Sequence, residues 1–344
     1  MTAPISHAMR PTPAGGMLSI VVPCYNEQES LPLLADALAR VAPELKVRPC
    51  APTSVELVLV DDGSCDGTLE EFRALEARAR AGELPYEVRW VSFSRNFGKE
   101  SGLLAGLTAA RGDWVATMDA DMQDPPSLLP QMWEEAATGE WDCVATRRRD
   151  RAGEPPIRSA FARLFYRLIN KMSDTDIQDG ARDFRLMSRQ VVDTIVSMGE
   201  YNRFTKGIYG WVGFKTKWLS FENVERVAGT TKWNFWSLML YAFDGIIAFS
   251  TAPLAIASVL GMVCCLIAVA CAVIVIVRAL AFGDPVAGWP SLMTVILLVG
   301  GAQLLCLGII GQYLAKTYLE SKHRPIYIVR ESGDSAQEGG RRAE

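Results

Sequence analysis

The chain has 344 residues, 35 Lys and Arg against 39 Asp and Glu, a formal net charge of -4, and 49% hydrophobic residues. That length accommodates one ordinary domain and something more. The slightly acidic balance argues against a nucleic-acid binder, which is usually basic.

The first 16 residues, "MTAPISHAMRPTPAGG", read as a loose tail without the apolar core of a cleavable signal peptide. From there to about residue 147 apolar runs alternate with helical patterns. "LSIVVP" (18–23), "VELVLVDD" (55–62), "VRWVSF" (88–93), "DWVATMDAD" (113–121) and "DCVATR" (142–147) read as strands. Helices are expected over 27–42, 66–80, 99–111 and 128–137 between them. Such alternation predicts an α/β domain with a mainly parallel sheet and helices on both faces. Ligands in such sheets bind at the carboxyl ends of the strands. Those ends are "PCYNE", "VDDGS", "SFSRNFGKE" and "DADMQD", all polar. A dinucleotide fingerprint, G-x-G-x-x-G, should follow the first strand, and "PCYNE" stands there instead, which disfavours a nicotinamide oxidoreductase.

Two doubled acids stand out. Asp61 and Asp62 end the second strand and are suited to accept hydrogen bonds from a base N–H or ribose hydroxyls; Tyr25 offers a ring to stack on a base. The plainer reading of "DDGSCDGT" is a turn with a helix cap, from Ser64 or Asp66. Asp119 and Asp121 end another apolar run, two residues apart, and point the same way if the chain stays extended. Held together, two carboxylates repel unless a cation sits between them, and oxygen ligands suit Mg²⁺ or Mn²⁺. Such a metal neutralises the charge growing on a departing diphosphate. A D-x-D on its own is common on any surface; this one ends a buried strand.

Further along, "RRRDRAGEPPIRSAFARLFYRLINK" is strongly basic. Phe161, Leu164, Phe165, Leu168, Ile169 and Met172 recur at helical spacing, with Arg163, Arg167 and Lys171 on another face. A helix over 158–172 could lie in a membrane interface, or pack on the sheet with a solvated basic face. "WNFWSLMLYAF" (233–243) reads as an interfacial aromatic belt or as the start of a longer span. Residues 252–277 and 291–314 carry no charge and are each long enough to span a bilayer. The link between them holds only Arg278 and Asp284, whereas the flanks hold Arg226 and Lys232 before and Lys316, Lys322 and Arg324 after. The positive-inside rule then puts the N-terminal region, residues 17–232, and the tail, 320–344, in the cytoplasm. Four of the 8 cysteines lie in these spans and no C-x-x-C pair occurs, in keeping with a reducing compartment.

Taken in order, "SIVVPCYNEQESLP", "VDDGSCDGT", "FSRNFGKESGLLAGL", "DADMQDPP" and "ARDFRLMSR" resemble the family 2 glycosyltransferases with a GT-A fold. Within that family the resemblance is to the polyprenyl-phosphate glycosyltransferases, from about residue 18 to the second span. It implies that Pro23, Tyr25, Glu27, Asp62 and, with them, Asp61 and Lys99 hold a UDP- or GDP-linked sugar. It implies that Asp119, Asp121 and Gln123 bind Mg²⁺ or Mn²⁺, and that Asp183 in "RDFRL" lies near the reacting centre. Arg147, Arg163, Arg226 and Lys232 would face the phosphate of the lipid acceptor, undecaprenyl or dolichyl phosphate. "DGARDFRL" departs from the family pattern by placing an Arg before the Asp.

A polyprenyl phosphate keeps its tail in lipid and its head at the surface, so the site must meet the interface and carry cations. A phosphate monoester's second pKa is about 6, so the nucleophile is already largely an oxyanion near neutral pH. A strong base is then hardly required, and Asp183 is expected to orient Arg185 or the sugar as readily as to act as one. One direct displacement would invert the anomeric centre. UDP-glucose comes first among the donors by resemblance; galactose, N-acetylated sugars, GDP-mannose and aminoarabinose remain open, as does assembly into a homo-oligomer. A processive polysaccharide synthase would carry Q-x-x-R-W, where "YNRFTKGIYGW" stands. A catalytically silent membrane scaffold would not need the intact acids at 119 and 121.

Overall fold

The computed structural model describes residues 16–148, 181–221, 252–282 and 288–336. The expected helix over 158–172, the aromatic segment 233–243, and Arg163, Arg226 and Lys232 lie outside the described residues.

The first half is built as the alternation predicts. Strands β1 (Met17–Cys24), β2 (Ser54–Asp61), β3 (Glu87–Phe93) and β4 (Trp114–Thr117) alternate with helices α1 (Leu31–Lys46), α2 (Thr68–Arg80) and α3 (Lys99–Ala109). A 3-10 turn leads into α4 (Leu129–Ala137), and β5 (Cys143–Arg148) follows. β1 pairs in parallel with β2 on one side and β4 on the other, and β2 pairs in parallel with β3. Successive strands therefore run outward from β1 in one direction, and the next one returns to its other edge. That reversal between β1 and β4 is a topological switch point, where the strand ends open a crevice.

The remaining elements were not all legible as such. β6 (Ala181–Ser188), α5 (Arg189–Ser197), α6 (Thr205–Trp211) and β7 (Thr216–Phe221) extend the sheet, whose full order is β7-β5-β6-β4-β1-β2-β3-β8. β6 is inserted between β4 and β5 and is antiparallel to both, so the sheet is mixed around a parallel centre. Its sequence, "ARDFRLMS", hides its strand character behind charges: Phe184 and Leu186 are buried on one face while Arg185 is buried on the other. Two long helices, α7 (Ala252–Phe282) and α8 (Trp289–Ser321), are long and apolar enough to cross a membrane. They run past the expected spans; 31 residues make about 46 Å of helix, against about 30 Å of hydrocarbon core.

The segment after α8, read from sequence as a tail, returns to the sheet. β8 (Val329–Asp334) pairs antiparallel with the edge strand β3. Tyr327 stacks on Phe93 with centroids 5.0 Å apart, and Asp334 bridges Arg89 at 3.0 Å and Arg111 at 2.8 Å. No apolar run marks this strand; its pairing with an open edge and its ion pairs hold it, and neither is visible locally.

Both faces of the sheet are covered. Leu34, Leu38, Phe72 and Trp133 from α1, α2 and α4 bury one face, with Ile20, Leu57 and Met118 of the sheet side. Leu107, Val191, Val192, Ile195 and Ile208 from α3, α5 and α6 bury the other, with Val21, Val58 and Met187. α3 lies unusually close to β1: a Cβ on Gly106 would stand 2.2 Å from Val21 Cγ1. This closeness sets the start of α3, and hence Lys99, over the strand ends.

Candidate active site

At the end of β1 the chain leaves the sheet through Tyr25, Asn26 and Glu27. Asn26 takes a left-handed conformation, φ 55°, which Asn tolerates better than most residues. Its N–H donates to Ser64 Oγ at 2.9 Å, and its Oδ1 accepts the Cys65 N–H at 2.9 Å. The Glu27 N–H donates to Thr68 Oγ1, also at 2.9 Å. The loop after β1 is thus stitched to the loop after β2, and Tyr25 is left 38% exposed beside it. Helix α1 begins at Leu31 rather than at 27, because the Glu27 carbonyl and carboxylate are taken by Ser30 in the turn before it.

Asp61 and Asp62 are both buried. Asp61 accepts the Ser64 N–H at 2.8 Å and the Ser92 hydroxyl at 2.7 Å. Asp62 accepts the N–H groups of Phe97 at 2.6 Å and Gly98 at 2.9 Å, on the loop that starts α3. Burial pushes the Asp62 carboxyl above its ordinary range in spite of those donors. Gly63, next after them, has φ 68°, and a Cβ there would meet the Arg95 carbonyl carbon at 2.4 Å. The turn half of the plainer reading matches these bonds, since both acids accept from the turn and loop that follow; the N-cap of α2 is Gly67, with no side-chain cap bond.

Asp119 and Asp121 follow β4. The strand ends at Thr117 and the chain turns at Ala120 and Asp121, so it does not stay extended through both acids; Met118 and Ala120 are buried in the core, and Asp121 is buried as well. Asp119 is not alone there. Lys99 Nζ stands 2.6 Å from Asp119 Oδ1 and 2.6 Å from Asp183 Oδ2. Asp183 arrives on β6 next to β4, where the Thr117 hydroxyl donates to its backbone carbonyl. Its other oxygen faces Lys206 Nζ at 4.0 Å. Burial alone would push the Asp183 carboxyl up, but Lys99, Lys206 and Arg182 outweigh it and hold it well below the usual carboxylate range. Burial likewise opposes the charge on Lys99, and Asp119 and Asp183 overcome it, so the ammonium is firmly held as a cation.

The third acid of the run, Asp124, is fully buried against Arg182, whose Nε lies 2.7 Å away. Arg182 also reaches Asp119 at 3.9 Å and the Gln123 side-chain oxygen at 3.5 Å. Gln123 accepts a stronger bond from Arg148 Nη2 at 3.0 Å, and Asp121 Oδ1 accepts the Gln123 N–H at 3.1 Å. The Arg that departs from the family pattern is thus the partner of Asp124. Arg185 turns the other way, 4.2 Å over the Tyr209 ring and 5.1 Å over Trp218, among neighbours other than Asp183. Arg147 is exposed at the end of β5, with its Nε on Ser220 Oγ at 3.0 Å. Arg182 and Lys206 were not singled out from sequence. The Arg before Asp183 was the signal for the first; nothing local marked the second.

Among the described residues no three His, Cys, Asp or Glu side chains gather tightly enough to hold a metal ion by themselves. Asp119 and Asp121 nevertheless offer the hard carboxylate oxygens that suit Mg²⁺ or Mn²⁺. Mg²⁺ is commonly held by one or two carboxylates, with substrate phosphates and water completing the shell.

The glycosyl transferase family 2 profile matches residues 19–196. The chain is 42% identical over 313 residues to a bactoprenol glucosyl transferase of Shigella phage SfV, covering 91% of this chain and 98% of the relative. A prophage bactoprenol glucosyl transferase homolog of Escherichia coli (strain K12) is 41% identical over 313 residues, with the same coverage of 91% and 98%. The glycosyltransferase sll0501 of Synechocystis sp. is 40% identical over 312 residues, 91% of this chain and 94% of the relative.

Proposed function

The chain belongs to glycosyl transferase family 2, and on that premise we propose that it transfers glucose from a nucleotide-sugar donor, UDP-glucose, to the phosphate of a membrane polyprenyl phosphate. The observation that carries this reading is the likeness to bactoprenol glucosyl transferases along 91% of the chain, which takes in the long apolar helices as well as the domain.

The chemistry follows from the residues. An oxygen of the acceptor phosphate, already an oxyanion near neutral pH, attacks the anomeric carbon. The bond from that carbon to the donor diphosphate breaks, and the electron pair leaves with the diphosphate. No proton has to move, and a single displacement inverts the anomeric centre. Mg²⁺ or Mn²⁺ bound by Asp119 and Asp121 would supply charge neutralisation at the leaving diphosphate. Gln123, turned toward Arg148 and Arg182, is left as a support for that loop. Asp183, held ionised by Lys99, is too weak a base to be needed as one; it keeps Lys99 in place and faces the sugar. Tyr25 stacks on the base, and the Asp61 and Asp62 loops shape the donor cleft.

The protein is read as a multi-pass protein of the cytoplasmic membrane, with α7 and α8 spanning it and both termini in the cytoplasm. The pairing of β8 with β3 supports this: β8 follows both helices in the chain and shares a sheet with the domain that precedes them. An even number of crossings satisfies both.

The test is turnover by the full-length protein with a panel of labelled nucleotide sugars, with and without polyprenyl phosphate. Label should enter the lipid phase only with polyprenyl phosphate, best from UDP-glucose, and a chelator should abolish it. A polymeric product would point to a processive synthase, and no turnover with any donor to a scaffold.

A further inference from the structure

Three cations stand among the acids of this centre, and they are not equivalent. Arg182 is spent on buried Asp124, with its Nε 2.7 Å from the carboxylate. Lys99 is shared between two carboxylates at 2.6 Å each. Lys206 meets Asp183 Oδ1 only at 4.0 Å, the outer limit of an ion pair, and its side chain is 26% exposed. Asp183 is already matched by Lys99 on its other oxygen. The charge of Lys206 therefore exceeds what the neighbouring acid requires.

We propose that Lys206 binds the phosphate of the acceptor, the phosphomonoester head settling between its ammonium and the anomeric carbon of the donor sugar. This rests on the glycosyl transfer proposed above. The first support is the chain of ion pairs that links Asp119 to Lys99, Lys99 to Asp183 and Asp183 to Lys206, with Asp119 and Lys206 at its two ends. A direct displacement needs the nucleophile and the leaving group on opposite sides of the reacting carbon. The leaving diphosphate belongs at the Asp119 end with its cation. The entering phosphate then belongs at the other end, which is Lys206.

The second support is the anchoring of α6. The Thr205 N–H donates to Glu100 Oε2 at 2.8 Å, and the Thr205 hydroxyl donates to the same carboxylate. Glu100 is the neighbour of Lys99 on α3, so Lys206 is held in a fixed relation to the donor-side cation. The Arg203 guanidinium, bonded to the Ile195 and Met198 carbonyls, fixes the loop leading into α6.

The third support is the direction of the membrane. Glu320, one residue before the end of α8, accepts the Tyr201 N–H at 3.0 Å. The loop that delivers Lys206 thus touches the end of the second apolar helix. A headgroup whose tail lies beside that helix would meet this loop.

The test uses the full-length protein in detergent with farnesyl phosphate as acceptor. Lys206→Met should raise the acceptor KM about 10- to 150-fold, the equivalent of one charge-assisted hydrogen bond. The donor KM should stay within about twofold, and Lys206→Arg should recover most of the loss, since the cation is kept. Direct binding gives a second readout. Wild-type protein should bind farnesyl phosphate more tightly than farnesol, and Lys206→Met should lose that difference. An unchanged acceptor KM, or a rise in donor KM instead, would overturn the assignment. So would inorganic phosphate that binds as tightly as farnesyl phosphate, which would mark a free-phosphate site. If Lys206→Met does not fold, Lys206→Arg and Lys206→Gln carry the same comparison. Wild-type protein that glycosylates no polyprenyl phosphate would sink the proposed function, whereas active wild type with a normal Lys206→Met variant would sink only this assignment.

Discussion

Two pairs of acids sit at the ends of strands flanking β1, Asp61 and Asp62 after β2 and Asp119 and Asp121 after β4. In sequence they look alike. In the fold they part because of what faces them. Asp61 and Asp62 meet backbone N–H groups and a serine hydroxyl, so their charge is spent on shaping loops. Asp119 meets the Lys99 ammonium and, farther off, Arg182. Neutral donors in the following loops satisfy Asp61 and Asp62, whereas Asp119 faces a cation fixed on α3 and shared with Asp183. The difference lies in the partners and not in the acids.

That contrast is sharpest in its largest expected effect. Asp121→Asn should lower sugar transfer on the order of 10²-fold or more, by removing charge at the metal, while the unfolding temperature stays near wild type. A chelator should mimic it. Full activity of Asp121→Asn, or chelator-insensitive wild type, would break the distinction.

Asp62→Ala should do the reverse. It strands the Phe97 and Gly98 N–H groups. A cost of about 3 kcal/mol, or about 6–12 °C in unfolding temperature, is expected by scanning fluorimetry. If instead stability held and only nucleotide affinity fell, Asp62 would belong with the ligand-binding acids.

Gly106→Ala tests the support of Lys99 without touching a charge. Its Cβ would fall 2.2 Å from Val21 Cγ1, so α3 must lift. Overpacking of this kind costs about 1–3 kcal/mol, and a shifted Lys99 should lower kcat as well. A variant as stable and as active as wild type would show that the close approach of α3 does not position the site.

The smallest effect is assigned to Arg147→Ala. This arginine is exposed and bonded to Ser220 at the far strands of the sheet. Acceptor KM should move by less than about twofold, as for a typical surface substitution of under 0.5 kcal/mol. A loss matching that of Lys206→Met would move the acceptor phosphate toward β5.

Much of this was legible because the local rules agree with the fold. Apolar runs such as "LSIVVP" and "VELVLV" read as buried strands, and their alternation with helical patterns implies a parallel sheet. β6 was not legible, since the Arg and Asp between its apolar residues find their partners on α3, β4 and the loop after it. Nor was Lys206, which has no local pattern and acquires meaning only beside Asp183.

By itself, then, the sequence determined the alternating domain, the polar strand ends, the two long apolar helices and the family, because each is written in short-range periodicity or in contiguous motifs. Tertiary structure alone decided that Asp61 and Asp62 face loop N–H groups while Asp119 and Asp183 face Lys99. It set β6 between β4 and β5 to deliver Asp183, and returned the chain after α8 to the sheet as β8. Those outcomes depend on contacts between residues tens to hundreds of positions apart, such as Lys99 with Asp183 and Arg111 with Asp334. A charge's role is set by its neighbours in space, and only the folded chain supplies them.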